Sequence, residues 1–148
     1  MKLHWIDNYQ GISHAAQPNR ATKLLYSAKF LQHSWAINKI ASILANYAIK
    51  NIKFDLILAA YCRTSIKCLP VNLSVIVAGK TNSDCITDYF ENPWHYNLNN
   101  KRVLIIDDVY TSGQTAGNML KTIYRNSRPH SVDLLVYLKS EPIAVRAV

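Results

Sequence analysis

The chain has 148 residues, 49% of them hydrophobic and 18% charged, with 17 Lys or Arg against 9 Asp or Glu and a formal net charge of +8 at pH 7. That make-up is expected of one soluble domain, 1–148, with a core of its own. It excludes a membrane-spanning chain, since the longest apolar runs, LILAAY at 56–61 and VLII at 103–106, fall far short of the ~20 residues a bilayer needs.

The N-terminus, MKLHWIDNYQ, lacks the apolar stretch and small-residue cleavage site of a secretory leader, so a cytoplasmic location is expected. Residues 1–53 carry seven Lys or Arg against the single acid Asp7. This basic N-terminal half suits an anionic partner, either a phosphorylated small molecule or a nucleic-acid backbone, and equally reads as a generic basic solvated surface. A short helix is predicted over 23–31. A longer amphipathic one is predicted over 34–50, where Ile37, Ile40, Ala41, Leu44, Tyr47 and Ala48 share a face. Runs rich in β-branched residues predict buried strands at 55–61, 73–79, 102–107 and 131–138. Between the last two, GQTAGNMLKTIYRN predicts a helix with Thr115 as its cap and Met119, Leu120, Ile123 and Tyr124 on its apolar face.

Continuous apolar strands joined by crossover helices make an α/β fold: a mostly parallel sheet flanked by helices, with ligands bound at the carboxyl ends of the strands. No repeat, low-complexity tract or linker interrupts it. Cys62, Cys68 and Cys85 show no zinc-ligand spacing and read as buried or incidental thiols with no assigned role.

The chemistry gathers in KRVLIIDDVYTSGQTAG, 101–117, where two carboxylates at a strand's end precede a run of hydroxyl residues and glycine. A helix N-terminus presents unpaired amides and a positive dipole end, so Thr111 to Thr115 suits an anion such as a phosphate. Gly113 permits close approach, while Thr111, Ser112 and Thr115 add hydroxyl donors. Two carboxylates beside a phosphate would repel it unless they face hydroxyls or a metal ion. A ribose 5-phosphate meets both requirements, with Asp107 and Asp108 on the 2- and 3-hydroxyls and the phosphate in the Thr111–Thr115 turn.

VLIIDDVYTSGQT, 103–115, resembles the phosphoribosyl-pyrophosphate signature of type I phosphoribosyltransferases: four apolar residues, two acids, an apolar residue, a free position, Thr, Thr or Ser, Gly, a free position, Thr. The resemblance implies a type I phosphoribosyltransferase-like fold that binds phosphoribosyl pyrophosphate with Mg²⁺. An acceptor would displace pyrophosphate at the anomeric carbon through an oxocarbenium-like transition state. It places Asp107 and Asp108 on the ribose as catalytic and binding residues, and Thr111, Ser112, Gly113, Gln114 and Thr115 on the 5-phosphate. It also implies that Arg63, in AYCRTS at 60–65, contacts the pyrophosphate, that 80–100 occupies the place of the flexible loop closing over the transition state, and that homodimers form.

The segment 80–100 lacks the basic cluster of many family members, and KSEPIAVRAV at 139–148 leaves little room for a base-recognising hood. Within the family the chain is most similar to the competence-protein ComF group, through LLYSAKF at 24–30, although that group's zinc-binding cysteines and Arg-Gly-Phe-Asn stretch are absent. A second expectation follows: a non-catalytic sugar-phosphate or nucleic-acid-binding protein of DNA uptake that keeps the fold.

Other readings of the motifs are weaker. SVIVAGKT, 74–81, imitates a phosphate loop, but Ser74 replaces its first glycine and strand-like residues precede Gly79. A response-regulator receiver opens with its acidic strand, whereas this one comes late. His95 reads as a packed or exposed loop histidine, and Trp94 and Tyr96 as loop anchors rather than base-stacking groups.

Overall fold

The computed structural model describes residues 1–9, 19–62 and 68–140. In chain order it has strand β1 (Lys2–Tyr9), helices α1 (Arg20–Lys29) and α2 (Ser34–Asn51), strand β2 (Leu56–Ala59), helix α3 (Leu69–Thr81), strand β3 (Asp84–Ile86), strand β4 (Arg102–Tyr110), helix α4 (Gln114–Asn126) and strand β5 (Ser131–Ser140). The strands make one sheet in the order β1-β5-β4-β2-β3, and every pairing among the described residues is parallel.

Parity along β4 explains why its apolar run is unbroken. Leu104 and Ile106 join the core beneath α1, α2 and α3, while Val103 and Ile105 join a second core with Met119 and Ile123 of α4 and with Tyr89 and Leu98. Both faces of the strand are covered, so neither has a place for a polar residue. α2 buries Ile40, Ala41, Leu44, Ala45 and Ala48, and Ile37 and Tyr47 pack at the margin of the same core. α1 starts where the Asn19 side chain accepts a hydrogen bond from the Thr22 N–H at 2.8 Å.

Three expectations are corrected. The strand predicted at 73–79 is the middle of α3. Pro70 opens that helix, Asn82 closes it in the left-handed conformation, and Leu69, Leu73, Ser74, Val77 and Ala78 are buried at helical spacing. β2 and β3 lie side by side and parallel, so the chain must cross over between them, and the crossover overrides the β propensity of Val75-Ile76-Val77. The Gly79-Lys80-Thr81 triplet then sits at a helix C-terminus, the wrong end for a phosphate.

The N-terminal residues, over which no element is predicted, form edge strand β1, which pairs with β5 from Lys2–Asp133 to Tyr9–Ser140. Its half-polar sequence gives little local signal. Its place is held by the buried His4, which hydrogen-bonds Asp133 Oδ1 at 3.0 Å and Tyr47 Oη at 3.2 Å.

The segment expected to be a flexible loop, 80–100, is packed. It contributes β3, a single 3₁₀ turn at Pro93–His95, and the fully buried Tyr89 and Leu98. The Tyr96 hydroxyl donates to Asp88 Oδ1 at 2.5 Å, which makes Tyr96 an anchor, whereas Trp94 and His95 face solvent.

Candidate functional site

The order of the strands fixes where a ligand can bind. From β2 the chain runs outward to β3, then returns to β4 on the other side of β2 and runs outward again to β5. Such a reversal opens a crevice at the carboxyl ends of the two strands between which it occurs. Ladder pairing of β2 with β4 ends at Ala59–Ile106, and the Ala60 N–H donates to Ile106 O at 3.0 Å. The next residues on β4 are Asp107 and Asp108, which therefore stand at the mouth of that crevice.

Beyond Ile106 the β4–β5 register passes from Asp107–Val136 to Val109–Leu138, and Val109 turns to the α1–α3 face. Each aspartate folds back on the following amide: the Asp108 N–H donates to Asp107 Oδ1 and the Val109 N–H to Asp108 Oδ1, both at 2.8 Å. The Lys29 ammonium, in the last turn of α1, lies 2.9 Å from Asp108 Oδ2. Burial disfavours the Lys29 charge, but the neighbouring acidic groups, Asp108 foremost, together outweigh it and hold the ammonium above its ordinary value. Among the described residues Asp107 has no such ion-pair partner. Burial first, and then the adjacent Asp108 charge, push its carboxyl well above the ordinary carboxylate range. The pair is thus asymmetric: Asp108 has a lysine partner, and the Asp107 carboxyl is held above its ordinary value.

The turn after β4 is built for close approach. Gly113 adopts φ 80° and caps α4 with no side-chain hydrogen bond, so it takes the place predicted for Thr115, which sits inside the first turn of the helix. A Cβ on Gly113 would lie 2.5 Å from Tyr110 Oη, the far end of a side chain that can shift, so it is the positive φ that leaves this position to glycine. Thr111, Ser112, Gln114 and Thr115 are exposed, and the Gln114 N–H leans toward Ser112 Oγ at 3.4 Å. The remaining amides of the first turn have no intrahelical acceptor, and no acidic residue occupies that turn. The structure therefore brings together Asp107, Asp108 and the Thr111–Thr115 turn. Arg63 lies outside the described residues.

Two cavities flank the crevice. One of about 170 Å³ lies between the end of β2, Cys68 and Val71 of α3, and Asp88 and Glu91. The other, about 260 Å³, is lined by Tyr61, Phe90 and the Thr115, Asn118, Met119 and Thr122 face of α4. The larger groove of about 560 Å³ is elsewhere, between α1, α2 and β1, where Arg20, Lys23 and Lys39 surround Trp35. Lys29 is the site residue that the sequence alone leaves hidden. Its one signal is position, as the basic residue in the last turn of α1.

No protein-family model and no curated protein matches the sequence. Solved structures do match. The chain is similar to UMP synthase from Leishmania donovani, with a TM-score of 0.58 and 16% identity over 79% of this chain, which spans 24% of that protein. It is also similar to the purine phosphoribosyltransferase of Pyrococcus horikoshii Ot3, with a TM-score of 0.52 and 18% identity over 70% of this chain and 72% of the other. Among the described residues the fold is that of the type I phosphoribosyltransferases, an all-parallel five-stranded sheet flanked by helices.

Proposed function

We propose that the chain binds phosphoribosyl pyrophosphate, with Asp107 and Asp108 on the ribose hydroxyls and the Thr111–Thr115 turn on the 5-phosphate, and transfers the phosphoribosyl group to an acceptor. The observation that carries this reading is the adjacency of an acid pair and an uncapped, hydroxyl-lined helix N-terminus at the strand-order reversal. Phosphate is held by first-turn amides and hydroxyls. The ribose hydroxyls meet two carboxyls that can accept their hydrogen bonds, Asp108 with Lys29 as its ion-pair partner. As C1 gains positive charge and the diphosphate departs, carboxylate oxygens on this side of the ring stabilise it.

Mg²⁺, which the resemblance implies, fits this donor set in a limited way. Among the described residues no group of three or more His, Cys, Asp or Glu forms a cage. Mg²⁺ asks only for one or two carboxylates beside substrate phosphates and water. Asp107 and Asp108 are the groups that would face it, and when bound it supplies neutralisation of the leaving diphosphate.

A second reading, a ligand-binding protein of the same fold without turnover, is favoured by the packing of 80–100. A segment pinned by buried Tyr89 and Leu98 is not a free flap. In that reading the groove lined by Arg20, Lys23, Lys39 and Trp35 offers cations and an aromatic face to a nucleic acid. Kinship with the competence-protein group, proposed on LLYSAKF, gains interest because that stretch is α1, whose Lys29 reaches the site.

Calorimetry tests the leading reading, with phosphoribosyl pyrophosphate and ribose 5-phosphate titrated with and without Mg²⁺. Binding should be lost in Asp107→Asn/Asp108→Asn while the unfolding transition stays cooperative. Affinity retained by that variant would sink the site assignment. Pyrophosphate release with a base distinguishes the enzyme, and salt-dependent retention of single-stranded DNA distinguishes the binding protein.

A further inference from the structure

Away from the crevice, cations of the basic N-terminal half converge on one place. Helices α1 and α2 contain no acidic residue, and their Arg20, Lys23 and Lys39 border the groove of about 560 Å³ that these helices form with β1 and β5. Among the described residues none of the three has an ion-pair partner, so all three charges are free to meet a ligand. Trp35 and Lys39 stand four residues apart on α2, which sets the indole and an ammonium on the same wall. The indole is 59% exposed, although Leu24 and Ile43 beside it are half-buried. Asp7 is the single acid on the described lining. Burial, and then the Asp7 charge, push the Tyr137 phenol up to about 12, so this buried member of the lining adds no negative charge.

We propose that the groove is a second ligand site, separate from the Asp107–Asp108 crevice, that takes a small aromatic anion: its ring against Trp35 and the apolar wall, its acid group among Arg20, Lys23 and Lys39. The volume lies within the range of about 300 to 1,000 Å³ in which small-molecule sites fall. A lone exposed cation attracts an anion weakly through water, whereas three around one concavity act on the same charge. The exposed indole then supplies what a simple anion would not need, a flat face for a ring. A purely apolar ligand would leave the cations unused, and a bare inorganic anion would leave Trp35 unused.

The arrangement suits a small molecule better than a nucleic-acid strand, because the cations ring one cavity instead of following a backbone. None of the residues lining it belongs to the acid pair or to the Thr111–Thr115 turn. The proposal therefore stands apart from the ribose-phosphate reading, and neither depends on the other.

Two fluorescent probes with the same rings test it, anilinonaphthalene sulfonate and the neutral phenylnaphthylamine, titrated into the full chain at low and high salt. The expected result is one saturable site per chain that binds the sulfonate ~10-fold more tightly than the amine, a preference that salt reduces. Lys23→Gln/Lys39→Gln, both exposed positions, should remove most of that preference and leave the amine's affinity and the Tm unchanged. Trp35→Ala should weaken both probes, and Asp107→Asn/Asp108→Asn neither. Several probe molecules per chain, equal affinity for the two probes, or a preference that survives Lys23→Gln/Lys39→Gln would overturn the proposal. So would loss of probe binding in Asp107→Asn/Asp108→Asn, which would put the probe in the crevice. Displacement of the sulfonate by single-stranded DNA with a steep salt dependence would also overturn it, by giving the groove to a nucleic acid.

Discussion

The Lys29 ammonium at the end of α1 lies 2.9 Å from the Asp108 carboxylate at the end of β4. Asp108 is almost fully buried and Lys29 about half exposed, so the lysine compensates a charge that would otherwise stand unpaired in a crevice. Removing either partner alone should therefore cost more than removing both. Lys29→Met is expected to lower stability by about 1 kcal/mol, the exposed ammonium being screened by solvent. Lys29→Met/Asp108→Asn should recover most of that loss. A double-mutant cycle by urea unfolding measures the coupling, and strictly additive effects would contradict the pairing.

Asp107 makes a prediction with a definite sign. Its carboxyl is held above its ordinary value by burial and by Asp108, so between that ordinary value, about 3.9, and its native one the folded protein binds more protons than the unfolded chain. This group's contribution to stability then falls as pH rises through that window. Asp107→Asn keeps an acceptor for the Asp108 N–H and lacks the titration. It should raise Tm at pH 7, with a gain that shrinks on acidification to pH 4. A gain that is constant across pH would refute burial and the Asp108 charge as its cause.

Two glycines of the same segment should respond in opposite directions. Gly113 sits at φ 80° against Tyr110, and Gly113→Ala is expected to cost about 1 to 2 kcal/mol and to weaken ribose 5-phosphate binding. Gly117 lies within α4 with nothing within 4 Å of a built Cβ. Gly117→Ala should stabilise by up to about 1 kcal/mol through helix propensity. Thermal melts of the two variants, with calorimetry of the first, check both.

Ser74 is fully buried in α3, and its hydroxyl has no hydrogen-bond partner among the described residues. Ser74→Ala removes an unsatisfied polar group and raises helix propensity, so it should stabilise by about 1 kcal/mol. The same variant tests the correction at 73–79, because alanine in a buried strand would cost stability instead. Urea unfolding at pH 7 separates the two outcomes.

What could be read from the sequence was what neighbouring residues encode together. The apolar run Val103–Ile106 implied a strand covered on both faces, and Asp107 to Thr115 implied an acid pair before a phosphate-binding turn. The strand covered on both faces, the turn and the helix start stand in the structure because they are contiguous in the chain. The residues around Val75 misled, since a β-branched run reads alike in a strand and in a buried crossover helix, and only the parallel neighbours β2 and β3 demand the helix. β1 gave almost no local signal because edge pairing with β5, not its own pattern, makes it a strand.

Lys29 beside Asp108 belongs wholly to the tertiary structure. It arises because α1 ends over the carboxyl end of β4. Such meetings depend on how the chain returns across the sheet, which no local periodicity records. The sequence by itself determined the order of acid pair, hydroxyl-rich turn and helix start, because these residues are contiguous. The tertiary structure decided which of the two acids keeps a cationic partner.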